Sequence, residues 1–128
     1  MRERCRVLVV DDESGIRVLV ARALEDAGCA VMNASDGVQA LEMLERREID
    51  IHLVLTDIDM PRLNGLELGR RIAAMRPPLP VLYMSSERPE ALVPGGADLG
   101  APGFLLKPFS LGTLVTTVVA LLAASPPM

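Results

Sequence analysis

The alternation of two kinds of segment is the feature of this sequence that most restricts its fold. Short apolar runs alternate with longer segments in which apolar residues recur at helical spacing. The runs lie at 6–10, 30–34, 51–56, 80–86 and 103–109. The third run lacks the polar alternation of a half-exposed strand, which favours a strand covered on both faces. The sequence therefore predicts strands of a parallel sheet connected by helices.

The predicted helices have recognisable starts and stops. The first has Ser14 as its cap and Gly28 as its stop, with Ile16, Leu19, Val20, Ala23, Leu24 and Ala27 at helical spacing. Ser35 or Asp36 caps the second helix, the third spans 66–75, and the last spans 111–124 with Ser110 as its cap. The expected fold class is α/β, a three-layer (βα)5 flavodoxin-like doubly wound sandwich around a parallel five-stranded sheet of order 2-1-3-4-5.

The segment between the fourth and fifth runs breaks this regularity. "SERPEALVPGGADLGAP" contains three prolines and several glycines where the alternation requires a fourth helix. Prolines inside a helix remove hydrogen bonds and clash with the preceding turn. We therefore expect the fourth helix to be short or irregular.

Length and charge narrow the classes of function. With 128 residues, half of them hydrophobic, the chain fits one domain spanning 1–128 with a core at about 5–124. The formal net charge is −4 and the arginines are scattered, which argues against direct binding to nucleic acid. The last helix is too short for membrane insertion, because a span needs about 20 apolar residues. No signal peptide pattern occurs at the start, so a cytoplasmic location is expected.

The two cysteines each precede a predicted strand. Cys5 comes before the first strand and Cys29 before the second. If these strands are parallel neighbours, the two thiols lie near each other at the amino end of the sheet. Reduced thiols are the simplest interpretation in an acidic, cytosolic-looking chain, with a disulfide as the alternative.

Three carboxylates fall at the carboxyl ends of two strands. Asp11 and Asp12 follow the first strand and Asp57 follows the third, and in the order 2-1-3-4-5 these strands are adjacent. Carboxylates crowded together raise one another's pKa unless a cation lies between them, which indicates a divalent ion such as Mg²⁺. Ser85 and Lys107 end the fourth and fifth strands. This set suits the retention of a phosphoryl group on an aspartate.

Four motifs resemble one protein family over essentially the whole chain. "VLVVDDE", "LVLTDIDMPRLNG", "VLYMSS" and "FLLKPF", in this order, are similar to the receiver domain of bacterial two-component response regulators. The resemblance implies that Asp57 is the phosphoacceptor. It also implies a Mg²⁺ site, with Mn²⁺ as an alternative, formed by Asp11, Asp12, the Asp57 carboxylate and the backbone carbonyl of Asp59.

The same resemblance gives roles to the other residues of the rim. Lys107 would pair with the phosphoryl oxygens, and Ser85 would turn inward to bond them. Phe104 would change rotamer together with Ser85, and Asp59 and Glu87 would tune how fast the phosphoryl group is lost. The implied activity is confined to self-phosphorylation and autodephosphorylation at the aspartate.

The implied partners are a histidine kinase or a histidine phosphotransfer protein. The "RPPLPVLYMSS" and "GFLLKPF" segments look most like receivers of hybrid sensor histidine kinases, while a free-standing single-domain regulator explains the sequence equally well. The last helix, "LGTLVTTVVALLAA", carries no charge, which suggests either an ordinary core helix or a homodimer face.

Two other functions compete with phosphate reception. "DIDMP" also satisfies the DxD core of haloacid-dehalogenase-type phosphatases, but these need a further acidic motif after their lysine, and nothing acidic follows Lys107. The second alternative is a receiver-like protein-interaction module that does not use phosphorylation. The complete set of site residues argues against that alternative, whereas the broken fourth-helix segment argues for it.

Overall fold

The chain folds around one parallel five-stranded sheet. The structure, a computed structural model, describes residues 5–46, 50–60, 62–75, 79–87 and 103–124. The strands are β1 (Arg6–Val10), β2 (Ala30–Ala34), β3 (Leu53–Asp57), β4 (Val81–Ser85) and β5 (Gly103–Leu106). They lie in the order β2-β1-β3-β4-β5, and every neighbouring pair is parallel. The α/β class and the strand order predicted from the sequence are confirmed.

Helices cover both faces of this sheet. In the described residues they are α1 (Ser14–Asp26), α2 (Gly37–Arg46), α3 (Gly65–Met75) and α4 (Leu111–Ala124). Residues 88–102 lie outside the described residues, so the short or irregular fourth helix expected there stays a prediction. Within the described ranges, no helix combines the length and the apolar character needed to cross a membrane.

Alternate residues of each strand contribute to two separate cores. In β1, Val7 and Val9 pack beneath α1 and α4, whereas Leu8 and Val10 pack beneath α2 and α3. Every residue of β3 is buried, as expected for a central strand covered on both faces. Burial on both faces fixes the sheet rigidly, so the carboxyl ends of its strands form a firm edge.

Several predicted element boundaries need correction. Strand β3 begins at Leu53 rather than at residue 51 and extends to Asp57 itself. Ser14 is not the cap of α1, because Glu13 occupies the N-cap position and makes no side-chain capping bond. The caps at Asp36 and Ser110 are confirmed, since each side-chain oxygen accepts a bond from the backbone N–H three residues later, at 2.9 and 3.0 Å.

Candidate functional site

The predicted site residues meet at the carboxyl edge of the sheet. Asp57 is the last residue of β3 and Ser85 the last of β4, while Asp11 and Lys107 directly follow β1 and β5. Backbone bonds between neighbouring strands continue to this edge: Ile58 N–H donates to the Met84 carbonyl at 3.0 Å, and Lys107 N–H to the Ser85 carbonyl at 2.8 Å. The sheet therefore sets the spacing of the side chains at its edge.

Three carboxylates form a compact cluster at this edge. One oxygen from each of Asp11, Asp12 and Asp57 lies within 4.8 Å of the others. Asp11 is fully buried and Asp57 is 4% exposed, whereas Asp12 is exposed to solvent. The cluster thus has a buried floor of two carboxylates and an open side at Asp12.

The two oxygens of Asp11 have different surroundings. Oδ1 accepts a hydrogen bond from the Glu13 backbone N–H at 2.9 Å, which fixes the side chain. Oδ2 is buried and has no hydrogen-bond partner among the described residues, and the Lys107 ammonium lies 4.0 Å from it. A buried carboxylate oxygen without a partner is energetically costly unless a cation satisfies it. The donor set therefore fits a hard divalent ion such as Mg²⁺.

Lys107 supplies the positive charge of the site. Its Nζ donates a hydrogen bond to Oδ1 of Asp57 at 3.3 Å, and its side chain is 26% exposed. The peptide bond between Lys107 and Pro108 is cis. One ammonium thus faces both buried carboxylates, closer to Asp57 than to Asp11.

Burial dominates the electrostatics of both buried aspartates. Burial is the largest of the effects that together raise the pKa of Asp11 to about 6. The hydrogen bond from the Glu13 N–H lowers this pKa, the charge of Asp57 raises it, and the charge of Lys107 lowers it. Burial also raises the pKa of Asp57, while the charge and the hydrogen bond of Lys107 lower it. Both groups hold their protons more tightly than free carboxyls do, so a bound cation would compete with protons for the same oxygens.

Two contacts that the sequence analysis missed fix the backbone of Asp57. The Thr56 hydroxyl donates to the Asp57 carbonyl at 2.9 Å, inside the core. Gly65, the first residue of α3, lies so close to the same carbonyl that a Cβ there would overlap its oxygen. In the sequence, only the spacing of Gly65 after Asp57 points to a role for this glycine, and that spacing does not indicate that Gly65 lies against the Asp57 carbonyl.

Arg17 is a further residue that the sequence analysis did not select. Its Nη1 donates to the backbone carbonyl of Asp11, and its side chain is half-buried. The contact joins α1 to the loop that carries the acidic pair. A lone arginine in an amphipathic helix gives no sequence signal for such a contact, because surface arginines are common there.

The remaining predicted residues surround the cluster at different depths. Ser85 is buried, and its hydroxyl accepts a bond from the Glu87 N–H at 3.0 Å. Phe104 is half-buried on the side of α2 and α3, in register with Tyr83. Asp59 and Glu87 are exposed. The structure brings Asp11, Asp12, Asp57 and Lys107 together, whereas the switch role of Phe104 and the tuning roles of Asp59 and Glu87 stay predictions.

Comparisons with known proteins agree on one family. Residues 7–119 match the family model described as the response regulator receiver domain. The response regulator MprA of Mycobacterium leprae (strain TN) is 40% identical over 122 residues, which are 95% of this chain and 53% of that protein. This chain therefore spans about half the length of the curated relatives that it matches.

Solved structures give the same result. The receiver domain of NtrX from Brucella abortus superposes with a TM-score of 0.81 at 36% identity, covering 93% of this chain and 99% of that one. The response regulator TrrA from Thermotoga maritima, solved in complex with Mg²⁺ and BeF, gives a TM-score of 0.80 at 27% identity, covering 91% and 98%. The more specific resemblance to receivers of hybrid sensor histidine kinases stays a prediction.

Proposed function

This chain belongs to the response regulator receiver family, and we propose that Asp57 is the residue on which it accepts a phosphoryl group. The family membership makes the chain a receiver domain of two-component signalling. The observation that supports Asp57 is its position at the end of a fully buried strand, with the Lys107 ammonium 3.3 Å from one oxygen and the Asp11 and Asp12 carboxylates beside it.

In the proposed reaction, an oxygen of Asp57 attacks the phosphorus of a phosphohistidine. The N–P bond breaks, the imidazole leaves, and an acyl phosphate forms. The Thr56 hydroxyl and the close approach of Gly65 hold the Asp57 carbonyl, so the carboxylate starts the attack from a fixed position. Lys107 then pairs with the added phosphoryl oxygens instead of with the free carboxylate.

Asp11, Asp12 and Asp57 would hold a Mg²⁺ ion in this site, with the Asp59 carbonyl as the further oxygen that the family resemblance implies. The unpartnered Oδ2 of Asp11 supports this assignment, because a divalent ion would satisfy it. When bound, the ion neutralises charge that builds up on the phosphoryl oxygens. The Glu13 N–H keeps the other Asp11 oxygen in place, so that Oδ2 points into the cluster.

Ser85 and Phe104 are the proposed switch. Ser85 is buried at the end of β4, the strand next to β3, and its hydroxyl donates no bond among the described residues, so its hydrogen is available to a phosphoryl oxygen. Phe104 is half-buried against the core of α2 and α3, so a change of its rotamer would alter how deeply it is buried there. Phosphorylation would thus bias two arrangements of the same rim.

Intact-mass analysis after incubation with acetyl phosphate and Mg²⁺ tests the assignment. We expect a gain of one phosphoryl group that EDTA prevents and that Asp57→Asn abolishes. Asp59→Asn is the matched control, because Asp59 is an exposed aspartate two residues away, and this variant should still be modified. Modification of a folded Asp57→Asn variant at the wild-type level would refute the role of Asp57.

The proposed partner is a histidine kinase or a histidine phosphotransfer protein, as receivers of this family generally use. This proposal covers the phosphodonor only, since the chain matches about half of its curated relatives. The alternative of a phosphorylation-independent module is not favoured, because the acidic cluster and its lysine are assembled. The cytoplasmic location stays a prediction.

We also propose that α4 mediates self-association. It carries no charged residue, and Leu111 and Val119 are 43% and 46% exposed. Sedimentation should reveal a dimer that Val119→Glu removes, while Ala73→Glu on the exposed face of α3 leaves it intact. A monomer at high protein concentration would contradict the proposal.

A further inference from the structure

The two cysteines lie at the end of the sheet opposite to the acidic cluster. Arg6 pairs with Ala30 at the start of the β1–β2 ladder. This pair includes the bond that the Ala30 N–H donates to the Cys5 carbonyl at 2.7 Å. Cys5 and Cys29 are the residues that directly precede the paired Arg6 and Ala30 in the two strands.

The register places both side chains on the same face of the sheet. Val7 pairs with Val31, and both belong to the core beneath α1 and α4. Cys5 and Cys29 each lie two residues before these valines, and side chains two apart in a strand share a face. Cys29 is indeed buried in that core.

The separation fits a disulfide bond. Registered residues on neighbouring strands lie about 4.8 Å apart, and disulfides join Cα atoms that are about 4.4 to 6.8 Å apart. Cys5 is exposed while Cys29 is 4% exposed. An oxidant from solution can thus reach Cys5, while Cys29 lies in the core beneath α1 and α4.

We propose that Cys5 and Cys29 form a reversible disulfide across β1 and β2 when the chain meets a small-molecule disulfide such as oxidised glutathione. The Cys5 thiolate attacks one sulfur of the oxidant, whose S–S bond breaks and releases one glutathione thiolate. The Cys29 thiolate then attacks the Cys5 sulfur, and the second glutathione thiolate leaves. Two protein thiols are oxidised and one oxidised glutathione is reduced to two thiols, which take up, by way of solvent, the two protons that the protein thiols release.

The disulfide bond changes the stability of the folded chain and leaves the acidic cluster unchanged. It closes a loop from residue 5 to residue 29 that contains α1, which restricts the unfolded chain. The whole of β1 separates Cys5 from Asp11, a distance of about 20 Å at the rise of a strand. This proposal therefore stands independently of the phosphoacceptor function.

Incubation of the native chain with oxidised glutathione, followed by alkylation and intact-mass analysis, tests the bond. We expect loss of two hydrogen atoms, no alkylated cysteine, a non-reducing peptide map that joins Cys5 to Cys29, and full reversal by dithiothreitol. The oxidised chain should also melt at a Tm higher by roughly 5 °C or more. The same treatment in urea should form the bond at least about tenfold more slowly, because the strands no longer hold the sulfurs together.

A variant at the exposed cysteine distinguishes the bond from other oxidation. Cys5→Ser should react neither with glutathione nor with the alkylating agent in the folded state, because Cys29 is buried. A stable mixed disulfide of glutathione on Cys5, or a dimer linked through Cys5, would overturn the proposal. So would equal rates of bond formation in buffer and in urea.

Discussion

At the scale of single residues, Asp11 is the group whose environment departs most from that of a free carboxyl. Its Oδ1 is bonded to the Glu13 N–H, its Oδ2 has no partner among the described residues, and its side chain is fully buried. Burial is the main reason that its pKa is raised to about 6. Asp11 is therefore in a position to bind a proton or a cation, and its affinity for each can be measured.

Asp11 should make the stability of the metal-free protein depend on pH. Because its pKa in the folded state is above that of an unfolded chain, its contribution is fully present below about pH 4 and is lost as pH rises to about 6. Thermal melts in EDTA between these values should therefore show a fall in Tm with pH that is smaller in Asp11→Asn. Asp12→Asn is the exposed control at the neighbouring position and should change the slope less than Asp11→Asn does, because the Asp12 charge is the smallest of the causes that raise the pKa of Asp11.

The affinity for Mg²⁺ should show the opposite dependence on pH. Below about pH 6 the ion must displace a proton from Asp11, so the affinity falls by up to about tenfold for each unit that pH decreases. Titrations with Mg²⁺ at about pH 5, 6 and 7 would measure how the affinity changes with pH. An affinity that does not change between them would contradict the assignment of Asp11 as a ligand.

At the scale of elements, the junction between β3 and α3 positions the phosphoacceptor. Helix α3 begins at Gly65, directly against the carbonyl of Asp57. The Gly65 N–H also donates to the Ile58 carbonyl at 3.0 Å, so the loop returns to the strand that it left. The fit leaves no room for a side chain, which is a requirement of packing rather than of helix formation.

Gly65→Ala should separate α3 from the end of β3. We expect a loss of about 1–3 kcal/mol in the free energy of unfolding, as for other over-packed sites, and slower modification by acetyl phosphate. Gly15→Ala is the matched control, because Gly15 lies in α1 with nothing within 4 Å of an added Cβ. That control should stabilise the chain by up to about 1 kcal/mol through helix propensity.

Denaturant titrations and the rate of phosphoryl uptake together check this prediction. If Gly65→Ala matched Gly15→Ala in both measurements, the close approach to Asp57 would have no energetic consequence. A loss of stability with an unchanged rate of uptake would show that α3 moves without disturbing Asp57.

At the scale of the whole molecule, the carboxyl edge of the sheet carries more negative than positive charge. Asp11, Asp12 and Asp57 come from two strands, and Lys107 after β5 is the cation that faces the two buried carboxylates. The repulsion among the carboxylates and their attraction to Lys107 are properties of the assembled fold, since residues 11, 57 and 107 are far apart in sequence. A divalent ion that binds only the folded state would stabilise the entire domain.

Lys107→Ala removes the ammonium that faces the carboxylates and should change the stability of the chain in two ways. Without metal, the variant should unfold more easily than the wild type, because the carboxylates lose the ammonium that faces them. With Mg²⁺, it should gain more in Tm than the wild type, since the ion then supplies the missing positive charge.

Melts with EDTA and with saturating Mg²⁺ measure both effects. Arg71→Ala is the control, because Arg71 is an exposed cation paired with Glu67 on α3, at 3.3 Å and away from the cluster. It should leave the gain from Mg²⁺ unchanged. An equal gain in the wild type and in Lys107→Ala would mean that the lysine and the ion do not compete for the same charges.

The sequence by itself predicted the class of fold and the residues that meet in the acidic cluster. The apolar runs and the helical spacing are local patterns, so five strands and the helices around them could be predicted, as could the caps at Asp36 and Ser110. Asp57 follows a run that only a buried strand explains, and the order of the strands then predicted that Asp11 and Asp12 lie beside it. The family resemblance supplied roles that periodicity alone cannot give.

Local patterns failed where a residue's surroundings come from distant parts of the chain. Leu19 is one of the apolar residues at helical spacing in α1, yet it is 53% exposed, since spacing cannot say how far the helix face reaches over the sheet. Helix spacing also gave no sign that Arg17 binds the Asp11 carbonyl.

Only the tertiary structure decided the distances on which the chemistry depends. The unpartnered oxygen of Asp11, the 3.3 Å contact of Lys107 with Asp57 and the close approach of Gly65 all join residues that the sequence keeps apart. The placement of Cys5 and Cys29 is of the same kind, because both directly precede Arg6 and Ala30, which the ladder between two strands pairs. Patterns along a chain specify which segments form strands and helices, whereas packing between elements specifies which atoms meet.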